Sequence, residues 1–267
     1  MKLTAALGFA ALAAGSMAPQ KEKVPPAALA DLAPTGKLRA AINFGNPVLA
    51  SKDPTTGKPR GVSVDLSREL ARRLGVPLEV VPYTAAGKVV EAANTGAWDV
   101  GYVAIDSLRS ADMIQSPPYV VIEGSYLVPT DSAIRSNAEV DREGIRIVVG
   151  KGSAYDLFLS REIKHAMLVR VPSSPEVVEM MIAQKLEVAA GVKQQLEADA
   201  RRFPGMRLLA GRFMVINQAM AVPRSHEAGG KYVRDFIEEM KASGFVAEAL
   251  VRHHIEGASV VPAGEAR

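Results

Sequence analysis

The feature that most constrains this chain is a strand–helix alternation that runs once, stops, and then starts again. The apolar run "KLRAAINF" reads as a strand and is followed by a long loop. "SVDLSRELARRLG" then reads as a helix, with Leu66, Leu70 and Leu74 at helical spacing, Ser63 as its cap and Gly75 as its stop. "PLEVVPY" is a strand, "AAGKVVEAANTGA" a helix and "WDVGYVAI" a strand again. After a further strand over 120–128, the polar stretch "PTDSAIRSNAEVDREG" breaks the pattern. From Ile145 it restarts as "IRIVVG", a helix over 153–165, "AMLVRV", "SPEVVEMMIAQK", "LEVAAGV" and "KQQLEADARRF". "RFMVINQAMAVPR" then reads as a return strand, and two helices close the chain.

Such alternation implies mostly parallel sheets with right-handed crossovers. The expected fold is α/β and two-lobed, with residues 36–128 plus 214–260 in the first lobe and 129–213 inserted as the second. Each lobe is expected to have its own sheet, with two strands as the hinge and a ligand cleft between the lobes.

Composition narrows the function. A net charge of +3 over 267 residues, with no basic stripe carrying interleaved aromatics, argues against a nucleic-acid partner. The chain has no cysteine, which removes disulfides and thiolate chemistry. His165, His226, His253 and His254 lack the spacing of metal ligands, and no cofactor motif stands out. The N-terminus has Lys2, an apolar segment from Leu3 to Ala14, and small residues at Ser16 and Ala18. Residues 1–18 read as a secretory signal, although Pro19 disfavours cleavage there and an uncleaved extension stays open. Residues 19–35, rich in Pro and Ala, read as a tether. No later apolar run is long enough to span a membrane, so a soluble mature chain exported by the signal is expected.

The ordered series "GKLRAAIN", "GKPRGVSVDLSRELARRLGVPLEVV", "TGAWDVGYVAIDSLR", "SPPYV", "IRIVVGKGSAYD" and "QKLEVAAGV" resembles the bacterial extracellular solute-binding proteins of the polar-amino-acid type. The likeness covers residues 36–255. It implies the two-lobed type II periplasmic fold, a monomer, and delivery of a small solute to the membrane permease of an ABC transporter. In that family an arginine just after the third strand of the first lobe pairs with the ligand carboxylate, and Arg109 matches it. A guanidinium suits the role, because its rigid fork of donors meets a carboxylate in bidentate fashion. The matching turn of the second lobe runs through Gly152, Ser153 and Ala154, where backbone N–H groups and a hydroxyl favour an anion.

Departures from the family are as informative. The acid that holds a ligand ammonium corresponds here to Val192, and the small hydroxyl five residues before the arginine to Ala104. Near Asn46 the usual stacking aromatic is missing, with Phe44 close by. Tyr102, Asn43 and Gln218 are further polar groups within reach of such a cleft. Glu123, in "PPYVVIEGSYLV", is a candidate replacement acid, or else an exposed acid at a strand edge. An ammonium buried without an acid costs several kcal/mol. The expected ligand is therefore a small carboxylate without a free α-amino group, with no catalytic residues assigned. Two alternatives use the same fold: a cyclohexadienyl-dehydratase-like enzyme with Glu123 or Tyr155 as its acid, and a sensing module for a membrane partner.

Overall fold

Apolar residues falling at the two periods of a parallel α/β layer build the first half of the chain. The computed structural model describes residues 24–264. Helix α1 (Pro26–Leu32) leads into strand β1 (Leu38–Asn43), then a small hairpin of β2 (Ser51–Lys52) and β3 (Pro59–Arg60). Helix α2 (Val62–Leu74), β4 (Leu78–Tyr83), α3 (Ala86–Glu91) and β5 (Val100–Ala104) follow. β1 lies between β4 and β5 and pairs in parallel with both, which requires α2 and α3 as crossovers. α2 buries Val62, Leu66, Leu70 and Leu74 along one stripe and ends at Gly75 in the left-handed conformation. Its cap is Gly61 rather than Ser63, which lies buried inside the first turn.

The expected signal, residues 1–18, lies outside the described residues. Of the expected tether, residues 26–32 are helical instead. Pro26 occupies the first turn, where its missing N–H costs nothing, and Leu32 is fully buried. Asp31 accepts the N–H of Gly229 at 2.9 Å, fastening this helix to the later helix α7 (Glu227–Ala242).

Past β5 come β6 (Met113–Gln115) and the long β7 (Val120–Pro129), which leaves the first layer. The second layer holds β8 (Arg146–Gly150), α4 (Ala154–Glu162), β9 (Met167–Val171), α5 (Val177–Ala183), β10 (Val188–Val192), α6 (Lys193–Arg202) and β11 (Met206–Leu208). β8 pairs in parallel with both β9 and β10. β12 (Met214–Pro223) returns to the first layer, ahead of α7, α8 (Phe245–Arg252) and β13 (Ser259–Val260).

β7 and β12 pair antiparallel over residues 120–124 and 214–218. Beyond that stretch β12 joins β5, and β7 joins β10. The hydrogen-bonded order is therefore continuous, β4-β1-β5-β12-β7-β10-β8-β9. This corrects the expectation of two separate sheets: the hinge strands carry one curled ladder through both lobes. The division appears in the cores. Leu38, Ile42, Leu66, Leu70, Phe236 and Ile237 belong to one cluster. Tyr126, Val128, Ile147, Val149 and Leu159 form another, and Leu127, Val148, Val177 and Met181 a third on the opposite face of the second layer. Alternation along β7 explains the last two, since Tyr126 and Val128 point to one face and Leu127 to the other.

Candidate functional site

In open α/β layers the carboxyl ends of the parallel strands border the crevice where ligands bind. Here those ends face each other: Asn43 and Ala104 close β1 and β5, while Gly150, Val171 and Val192 close β8, β9 and β10. Between them lies a cavity of about 40 Å³. Asn43, Asn46, Tyr102, Ala104 and Arg109 line it from the first layer, and Ser153, Ala154, Tyr155, Ser174 and Val192 from the second. Gln218 and Ile216 of β12 complete it.

Arg109 is placed by a tight turn after β5. The backbone carbonyl of Asp106 accepts the N–H of Arg109 at 3.0 Å, and the Asp106 carboxylate accepts the N–H of Leu108 at 3.0 Å. The side chain is buried, at 2% exposure. Its Nη1 donates to the carbonyl of Ala104 at 2.9 Å, and Nη2 crosses between the layers to the carbonyl of Gly152 at 2.8 Å. Nε is buried without a partner. Burial pulls the guanidinium pKa down to about 10, against the opposing pull of Asp106. At neutral pH it remains charged, hydrogen-bonded to no carboxylate and with one donor idle, and it helps to line the cavity. No Asp, Glu, His or Lys is among the residues that line it.

Opposite Arg109, the start of α4 is partly occupied. The Ser153 Oγ caps the helix, accepting the N–H of Asp156 at 3.0 Å. The N–H of Gly152 goes to the Asp156 carboxylate at 2.9 Å and that of Ser153 to the carbonyl of Gly150 at 3.0 Å. The turn thus offers Arg109 a carbonyl where the sequence pattern led us to expect N–H donors from Gly152 and Ser153. The N–H groups of Ala154 and Tyr155 are those left at the helix start. Arg170 braces the turn by holding Asp156 at 2.9 Å.

Both tyrosines keep their hydroxyls occupied within the protein. Tyr102 meets the Ser67 hydroxyl at 2.9 Å, behind the cavity wall, and Tyr155 donates to the Ser174 Oγ at 2.7 Å. Burial pushes both phenol pKa values up.

Contacts between the layers hold them together around the cavity. Gly152 is in the left-handed conformation, with φ of 69°, and a Cβ there would stand 2.9 Å from the Cα of Gly87 on α3. A Cβ on Gly87 would in turn stand 3.3 Å from both Gly152 Cα and the Lys151 carbonyl oxygen. Arg161 of α4 reaches Asp106 at 3.0 Å, and Gln194 donates to the carbonyl of Glu256 at 3.0 Å.

The structure does not bring Glu123 or Phe44 to the cavity. Glu123 lies on β7, opposite Val215, and alternation turns it away from the buried Ile122 and Gly124. Its carboxylate accepts from Arg212 at 2.6 Å and from Lys193 at 3.3 Å. Those two cations, Arg212 foremost, hold its pKa below the ordinary carboxylate range. Phe44 packs against the first core, with the Lys52 ammonium 5.6 Å from its ring centre. Of the histidines, His253 turns inward to Asp65 at 2.8 Å, beside Arg252, and so ties α8 to α2. Ser174 and Ile216 are lining residues that the sequence reading missed. Ser174 had a usable signal, since "VPSSPE" follows β9 and every parallel strand end borders the crevice. Ile216 had none, because the face of β12 depends on its register with β7.

Residues 38–255 match the bacterial extracellular solute-binding proteins, family 3. A glutamine-binding protein from Geobacillus stearothermophilus is 28% identical over 122 residues, 44% of this chain and 46% of that relative, so the match spans less than half of its length. Among solved structures, a variant of ArgBP from T. maritima superposes with a TM-score of 0.74 at 21% identity, covering 86% of this chain and 100% of that one. The solute receptor for L-cysteine of Neisseria gonorrhoeae gives a TM-score of 0.75 at 21% identity, covering 86% and 94%. No helix among the described residues is long and apolar enough to cross a membrane.

Proposed function

Because the chain belongs to family 3 of the bacterial extracellular solute-binding proteins, we propose that its cavity binds a small carboxylate lacking a free α-amino group. One observation carries this reading: the cavity presents a buried, charged Arg109 with an idle Nε and no acidic side chain in its lining. A buried cation that no carboxylate hydrogen-bonds favours an anion entering the space beside it in place of water. A ligand ammonium would bring a second positive charge into the same space with nothing to neutralise it. The relatives named above bind glutamine, arginine or cysteine by their names. Val192 supplies no charge where the family resemblance implies an acid.

The lobes divide at about residues 129 and 213, and the ligand draws them together as a hinge closure around β7 and β12. The solute is then handed to the permease of an ABC transporter, with the protein acting as a monomer in the periplasm.

A thermal-shift series with matched amino, keto and hydroxy acids tests the reading, since a ligand of the native state raises its midpoint. The carboxylates should shift the midpoint and the amino acids should not. Arg109→Ala should abolish the shift, and Arg109→Lys should not restore it, because a point charge cannot reproduce the fork. A tight amino acid in the wild-type protein, or a full shift in Arg109→Ala, overturns the proposal.

A further inference from the structure

A second residue of the cavity lining, Asn46, carries a polar atom in the same condition as the Arg109 Nε. The Oδ1 of Asn46 is buried and has no hydrogen-bond partner. The loop that carries Asn46 leaves it little freedom. Its own N–H donates to the carbonyl of Asn43 at 3.3 Å, and its carbonyl accepts from Leu49 and Ala50 at 3.2 and 3.1 Å. The Asn43 side chain accepts the N–H of Gly45 at 2.9 Å, which tightens the loop from the other side. Asn46 is thus held on a braced turn, at the wall that it shares with Arg109.

A buried acceptor without a donor costs free energy that a ligand recovers by supplying one. The two idle atoms ask for different things: Nε asks for an acceptor, which a carboxylate provides, and Oδ1 asks for a donor. That donor must be uncharged, because no acid in the lining would balance an ammonium. A keto oxygen has no hydrogen to give. A hydroxyl has one.

We propose that the ligand is a small hydroxycarboxylic acid, its carboxylate on Arg109 and its hydroxyl donating to Asn46. The size of the cavity agrees with this. About 40 Å³ leaves room for about three water-sized groups at roughly 10–15 Å³ each, which favours the smallest acids. Apolar Ala104, Val192 and Ile216 take up the carbon skeleton and give a second charge nothing to meet. The proposal rests on the carboxylate reading of Arg109 and adds to it a choice between hydroxy and keto acids.

Calorimetry separates the two readings when matched triplets are used: glycolate, glyoxylate and glycine; lactate, pyruvate and alanine; 2-hydroxybutyrate, 2-oxobutyrate and 2-aminobutyrate. The hydroxy acid of the best triplet should bind about tenfold or more tightly than its keto acid, because a site built to meet a hydroxyl penalises its absence. Asn46→Leu should erase that preference by weakening the hydroxy acid alone. Asn46→Asp, of nearly the same shape, should weaken both carboxylates and admit the amino acid, since it supplies the missing negative charge. Unliganded melting of each variant confirms that it folds. Equal binding of hydroxy and keto acids, or a preference that survives Asn46→Leu, overturns the hydroxy-acid assignment and leaves the carboxylate reading standing. Binding of the amino acid alone, or of none of the nine compounds, overturns both.

Discussion

Arg109 and Glu123 are charges of opposite sign lying fourteen residues apart along the chain, and the fold treats them in opposite ways. Arg109 is buried and leans only on carbonyl oxygens, with one donor idle. Glu123 is half-buried on the outer side of the hinge and has a cation for each of its oxygens. Its charge is balanced within the protein, so it has no further demand to make. The guanidinium is desolvated with no carboxylate bonded to it, and on the proposed reading an anionic ligand relieves that imbalance. On that reading a charge marks a binding site through what it lacks, and proximity in sequence says little about it.

Closure should sharpen that contrast most strongly. The bond from Arg109 to Gly152 exists only while the layers touch, and Gly87 and Gly152 are the backbone positions where they touch. Gly87→Val places branched carbons where even a Cβ would stand 3.3 Å from the neighbouring backbone. Overpacking of this kind costs typically about 1–3 kcal/mol. Ligand affinity should therefore fall about tenfold to a hundredfold, while the unliganded protein melts as before, because the Glu123 contacts lie on the hinge and are not strained. Titration calorimetry beside a melting curve reads both. A variant that melts much lower without ligand would show that the glycine pair serves the fold rather than closure.

The pH dependence is the next largest effect. Burial lowers the Arg109 pKa to about 10, so the group carries its full charge at neutral pH and loses it as pH rises through that value. Carboxylate affinity should be flat from about pH 6 to 9 and then fall, by about tenfold for each further pH unit above 10. The sign for stability is opposite. A cation whose folded pKa is depressed penalises the folded state while it is charged, and that penalty fades as pH rises from about 10 toward the ordinary arginine value. Affinity that stays level to pH 11 would separate Arg109 from the ligand.

Much of this arrangement was legible in the sequence, for a physical reason. Helical and strand periods identify buried faces, so β1, α2, β5 and β8 and the restart of the alternation could be read directly. Arg109 stood out through the family resemblance, and the structure places it after the end of β5 in the lining of the crevice. What could not be read depends on partners distant in sequence. The continuous ladder through β7 and β12 follows from their register, set by residues almost a hundred positions apart. The N–H groups of Gly152 and Ser153 looked available, yet Asp156 and the turn itself had claimed them. Leu32 reads as part of a tether until the surface of α7 that buries it is known.

Glu123 was open in the sequence for the same reason, since a strand in isolation has two faces and Lys193 and Arg212 lie far along the chain. Its prediction is the smallest. Glu123→Gln removes a carboxylate that is 26% exposed and paired with cations that are 39% and 54% exposed, where water screens the gain. The loss of stability should stay below about 1 kcal/mol at neutral pH. It should vanish as pH falls past the lowered carboxyl pKa, because a group with a depressed folded pKa contributes above its ordinary value and loses that contribution once protonated. Ligand affinity should change by less than about twofold. A large loss of affinity in Glu123→Gln, with melting unaltered, would place a ligand contact on the hinge strand and dissolve the distinction between the balanced charge and the unbalanced one.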